Sequence, residues 1–194
     1  MIARISVFLL LLLGAGNAVA GDSIPYPPEC TVPAVVVGNT SGLPMGDGFV
    51  VVVRRFGSPV SHAIVQLYFP TEGPRPLLEQ EAGTSVNCAA RTLTREADAN
   101  GVCVFHPRLA GYATTSVVDV RANGVHLAQA SVRSTDLDGN GVVDLADFQR
   151  FAVNFLHAPG SAETDYDGSG STDARDFDFF RRDFVAGVHG SLCP

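Results

Sequence analysis

From Asp136 to Asp147 the chain reads Asp-Leu-Asp-Gly-Asn-Gly-Val-Val-Asp-Leu-Ala-Asp, and 29 residues later the same rhythm returns between Asp165 and Asp176. Oxygen-bearing side chains stand at loop positions 1, 3, 5, 9 and 12 of both stretches, with glycine at position 6. Four carboxylates held within a few ångströms of one another repel by about 1 to 4 kcal/mol per pair at watery to protein-surface dielectric. Both stretches therefore call for a cation. An all-oxygen set of this number suits calcium, which accepts six to eight ligands in tolerant geometry, better than magnesium with its tight octahedron. The expected cofactor is two Ca2+ ions. The side-chain ligands would be Asp136, Asp138, Asn140, Asp144 and Asp147, then Asp165, Asp167, Ser169, Asp173 and Asp176. Gly141 and Gly170 permit the sharp turn that aims the backbone carbonyls of Val142 and Ser171 at the ion. Ser169 replaces a carboxylate or amide, so the second site is expected to be the weaker.

The acidity follows the loops. Up to Arg133 nine Asp or Glu are balanced by nine Arg, whereas residues 134–194 carry eleven acids against four Arg, which accounts for the whole net charge of −7. All thirteen basic residues are Arg, and no basic or aromatic stripe suggests nucleic acid. Residues 1–20, with Arg4, an apolar run over 7–13 and Ala18-Val19-Ala20, have the layout of a secretory signal peptide, which predicts a secreted, extracellular or cell-surface protein with no later membrane span. In that compartment Cys30, Cys88, Cys103 and Cys193 predict two disulfides with three connectivities, of which Cys88 with Cys103 and Cys30 with Cys193 is favoured.

Residues 21–31, rich in proline, form an extended lead-in. Residues 32–133 hold short β-branched runs separated by turn signals, including Asp98-Ala99-Asn100-Gly101 and Ala122-Asn123-Gly124, each flanked by two strands as in a hairpin. Six or seven such strands predict an antiparallel β-sandwich. The phrases Phe56-Gly57-Ser58-Pro59-Val60-Ser61-His62-Ala63-Ile64-Val65 and Ala97-Asp98-Ala99-Asn100-Gly101-Val102 resemble bacterial Ig-like and carboxypeptidase-regulatory-like domains. That likeness implies a fold and little about function.

After the first loop, residues 145–157 place Phe148, Phe151 and Phe155 on one helix face. After the second, residues 174–185 place Phe177, Phe180 and Phe184 at the same offset of 29. Each helix needs a partner for its stripe, and facing the two together is the natural solution. The fold class expected is mainly β with a small α appendage. Its boundaries are a sandwich over 32–133, a tandem loop-helix module over 134–188 and a tail over 189–194, with so short a join at Ser134 that the two parts are expected to pack together.

Two EF-hand-type loops, each with only its exiting helix, following a β domain, resemble the type I dockerin module. That resemblance implies calcium binding by the residues named above, with Leu145, Ala146, Ala174 and Arg175 as partner-facing positions. The partner implied is a cohesin-like β-sandwich protein, with docking onto the chain's own β domain as the other choice. The basic pair found mid-helix in that family is present only in the second repeat, as Arg181-Arg182, against Ala152-Val153 in the first. No nucleophile-base pair or cleft carboxylates stand out, and His62, His106, His126, His157 and His189 are scattered. The expectation is a non-catalytic calcium-stabilised docking protein. The alternative is a structural or adhesive surface protein whose loops only rigidify the fold, and an accessory role in polysaccharide degradation is more remote.

Overall fold

The computed structural model describes residues 24–44, 46–113 and 116–193; the leader expected over residues 1–20 lies outside them. None of the described helices is long and apolar enough to cross a membrane. The architecture is mainly β with two short helices. The strands in chain order are β1 (Val35–Gly38), β2 (Phe49–Val52), β3 (Arg54–Arg55), β4 (Ser58–Pro59), β5 (Ile64–Tyr68), β6 (Arg75–Pro76), β7 (Thr84–Asn87), β8 (Thr92–Glu96), β9 (Val102–Phe105), β10 (Leu109–Ala110), β11 (Val117–Ala122) and β12 (Val125–Ser134). The helices are α1 (Leu145–His157) and α2 (Ala174–Ala186).

Six strands make one curled sheet in the order β1-β12-β11-β5-β8-β7, and β2 pairs separately with β9. Alternation sets the faces: in β5 Val65 and Leu67 point inward between half-exposed neighbours, and in β11 Val118, Val120 and Ala122 do the same. These residues join Val51, Val53, Cys103 and Phe105 from the β2 and β9 region in one core cluster. The lead-in carries one 3-10 turn, Pro27–Glu29, with proline at its start, where a missing N–H costs nothing.

Two details depart from the sequence expectation. The pairing is not antiparallel throughout, because β1 lies parallel to β12 with Val35 opposite Ser131; nearly the whole β region intervenes between them, which gives the long connection a parallel pair requires. The turn at Asp98 is also not a hairpin: β8 pairs with β5 and β7, while β9 pairs with β2. The turn closes on itself, Asp98 Oδ1 accepting from the N–H groups of Asn100 and Val102 at 2.8 Å each. Val53 then donates to the Gly101 carbonyl at 2.8 Å, tying the chain to the far end of β2. A side chain on Gly101, at φ +72, would meet the Val53 oxygen at 2.5 Å. By contrast β11 and β12 do form a hairpin, in which Asn123 and Gly124 take the two left-handed positions (φ 48 and 80) that a two-residue turn demands.

The disulfide expectation is corrected. Cys88 bonds Cys193, leaving Cys30 and Cys103 free. Strand β2 separates the free pair: Thr31 bridges Val52 on one side of it, and Cys103 pairs with Val51 on the other. Cys193 is brought to Cys88 by the C-terminal tail, which bridges Leu77 through Leu192 and accepts from Leu78 N–H at the Ser191 carbonyl (2.9 Å).

The loop-helix region lies directly on the β region. Ser134, Thr135 and Asp136 are fully buried. A second cluster of Leu137, Val143, Phe151, Tyr166 and Phe180 forms its core, with Val37 of β1 packed against it. The junction is polar and specific. Asp183 of α2 accepts from Thr40 N–H (2.9 Å), Ser41 N–H (2.9 Å) and the hydroxyls of Thr40 (3.3 Å) and Thr135 (2.5 Å).

Candidate metal centre

Each acidic loop is folded around its own carboxylates. In the first, Asp136 accepts from Gly139 N–H and Gly141 N–H at 2.7 Å, one on each oxygen. Asp147 accepts from Leu137 (2.7 Å) and Asp138 (3.1 Å) on one oxygen and from Asp144 (2.9 Å) on the other. The last bond is half of a capping box whose other half is the Asp144 side chain accepting from the Asp147 N–H; Asp144, the N-cap of α1, also takes the Ala146 N–H at 2.7 Å. The closing carboxylate of the loop therefore also caps the first turn of the helix. Gly141 has φ +89, and a side chain there would meet the Gly190 carbonyl at 2.6 Å, so the loop and the C-terminal tail close on each other only over a glycine.

The second loop repeats this arrangement. Asp165 accepts from Ser169 and Gly170, Asp176 from Tyr166, Asp167 and Asp173, and Asp173 caps α2 through Arg175 N–H.

The outcome is two triads, Asp136 with Asp138 and Asp147, and Asp165 with Asp167 and Asp176, in which the facing oxygens lie within 4.8 Å of one another. In each, two carboxylates are buried and the middle one is exposed. The remaining side chains of the expected ligand set are occupied locally: Asn140 accepts from Val142 N–H (2.8 Å) and donates to Asp138 (3.1 Å), Ser169 donates to the Ser171 carbonyl (3.1 Å), and Asp144 and Asp173 are caps. The positions expected to meet a partner, Leu145, Ala146, Ala174, Arg175, Arg181 and Arg182, are all exposed.

The electrostatics fit a cation. Burial pushes the Asp136 carboxyl up to about 7 against the opposing pull of its two N–H bonds, with Asp147 and Asp138 adding repulsion. Burial likewise raises Asp147 and Asp176. Like charges this close do not all ionise without compensation, and an all-oxygen triad of this size can hold a hard divalent ion. Among the described residues no arginine or histidine pairs with the first triad. The second has Arg133, a buried side chain of β12 whose Nη1 stands 3.4 Å from Asp165, and the exposed Arg175, 4.0 Å from Asp167.

Asp183, which ties α2 to the β region, and Arg133, beside the second triad, are the residues that sequence reasoning missed. Asp183 had one available signal: it is an acid near the C-terminal end of a helix, where the macrodipole disfavours it unless donors are supplied. Arg133 had none, since only the fold brings it to Asp165.

The two helix stripes face each other as expected, with Phe148 against Phe180 and Phe184 and Phe151 against Phe177 and Phe180, but burial is uneven along them. Phe151 and Phe180 are 1 % exposed and stack with centroids 5.0 Å apart. Phe148, Phe155, Phe177 and Phe184 remain 37 to 39 % exposed. The central pair is covered by the rings around it, while the flanking rings keep one side toward solvent. No family model, curated protein or solved structure matches the chain.

Proposed function

We propose that the chain is a secreted, non-catalytic calcium-binding protein, an Ig-like β domain carrying a dockerin-like tandem loop-helix module that docks a protein partner. The observation that carries the reading is the pair of half-buried carboxylate triads, each ending in the carboxylate that caps its own helix. A calcium ion in either triad would neutralise the repulsion and hold the helix start in place. In a calcium-rich extracellular fluid, sites of about 10⁻⁴ M or tighter stay loaded, so the ion acts as a constitutive folding element. The sandwich reading is supported by the core that one face of the six-stranded sheet shares with the β2 and β9 ladder. Docking is supported by the exposure of Leu145, Ala146, Ala174 and Arg175 beside an open aromatic face.

A second reading has its own observation. Asp183, the Cys88 to Cys193 bridge and the bond from Gly190 N–H to the Gly141 carbonyl (2.8 Å) clamp the module to the β region, which favours loops that only rigidify the molecule. Affinity capture in calcium and in chelator separates the two. Calcium-dependent retention of a discrete protein that Leu145→Asp and Ala174→Asp abolish supports docking. A calcium-loaded chain that retains nothing supports the rigidifying role.

A further inference from the structure

The solvent face of the helix pair has a two-fold pattern. Phe148 and Phe177 form a ridge between two apolar grooves of about 360 and 340 Å3. The first is walled by Phe151, Ala152, Phe155 and Leu156, and the second by their partners 29 residues on, Phe180, Arg181, Phe184 and Val185. The repeat has thus produced two copies of one groove that differ chiefly where Ala152 is replaced by Arg181. Leu145, Leu156 and Val185 add apolar surface at 61 to 72 % exposure. With the four half-exposed phenylalanines the patch amounts to roughly 600 Å², the upper end for a monomer.

We infer that this face is the contact between two copies of the chain. The conclusion rests on reading the helix pair as a protein-docking surface and names the occupant of it. Two such patches facing each other remove about 1,200 Å² from water, the lower bound of a specific interface. The face is also self-complementary, because every copy carries both a phenylalanine ridge and an apolar groove to receive one. The Ala152 groove is the receiving one, since it has no charge to desolvate, whereas its counterpart has Arg181 in its wall. The rim does not point to an anionic lipid surface: Arg181 and Arg182 both pair with Asp178, at 2.8 and 2.6 Å, so little free positive charge is offered.

The test is sedimentation velocity on the calcium-loaded chain across the micromolar range, with Ala152→Arg and Arg181→Ala beside it. Ala152→Arg installs the residue that the second repeat already tolerates at the equivalent position, so it is expected to fold, with circular dichroism and calcium stoichiometry as checks. The expected result is a concentration-dependent dimer whose dissociation constant rises at least about tenfold in Ala152→Arg and not in Arg181→Ala. A chain that binds two calcium ions yet stays monomeric overturns the inference while leaving the calcium reading intact. A dimer indifferent to Ala152→Arg overturns it as well. So does a monomer that floats with phosphatidylcholine vesicles, which would make lipid the occupant. Failure to bind calcium at all is a different result and sinks the reading beneath it.

Discussion

Asp136 has both oxygens hydrogen-bonded and its side chain out of water, so its charge depends on what else enters the loop. Its folded value of about 7 stands above the ordinary carboxylate value near 4. Between those two pH values the folded, metal-free chain holds a proton that the unfolded chain has released. The stabilisation from this group is therefore full below about pH 4 and is lost as pH rises to about 7. Asp147 and Asp176 shift in the same direction. Calcium-stripped protein is expected to melt lower at pH 7 than at pH 5, and calcium added at pH 7 should restore the loss; a metal-free melting temperature that climbs between pH 5 and 7 would refute this. Arg133 predicts an asymmetry, since a buried positive charge beside Asp165 opposes a second cation there. In calorimetric titration Asp136→Asn should remove the tighter of two binding events and Asp165→Asn the weaker, and the reverse order would show that Arg133 does not set the ranking. Asp183 contributes at the same scale. Asp183→Ala strands buried donors from Thr40, Ser41 and Thr135, and about 3 kcal/mol or more of stability should be lost in denaturant melts; a loss below about 1 kcal/mol would mean that water replaces the carboxylate.

Among the elements, the two helices were legible because their information is local. Loop ligands, the capping carboxylate three residues into the helix and the phenylalanine stripe all recur at an offset of 29, and each depends on neighbours within a dozen residues. Which phenylalanines become core was not local. It depends on how the two stripes meet, and of the six rings only Phe151 and Phe180 end up buried. Phe151→Ala should accordingly cost about 3 to 5 kcal/mol, while Phe155→Ala, on the open flank, should cost far less; equal losses would place both in one buried stripe. The strands show the same division. Alternation and turn residues locate β5, β11 and β12 well. Alternation says nothing of which ladder a strand joins, so β9 crosses to β2 although Asp98 to Gly101 reads as a hairpin turn.

For the molecule as a whole, long-range closure decides what the sequence leaves open. Four cysteines permit three pairings, and the pairing observed follows from the C-terminal tail lying along Leu77. It closes a loop with a sequence separation of 105, so reduction or a Cys193→Ser substitution is expected to cost about 2 to 4 kcal/mol; an unchanged melting curve would show the tail held by its hydrogen bonds alone. Thr40 and Asp183, 143 residues apart, likewise meet only in the finished fold. With one face of the loop-helix region clamped to the sheet and the other open, the two triads hold the region in shape, and calcium is the proposed means. Far-UV circular dichroism of the chain during chelation and calcium return tests this most directly. Helical signal should fall on chelation and recover with two equivalents of calcium, and a helical signal that ignores the chelator would contradict a calcium-held module.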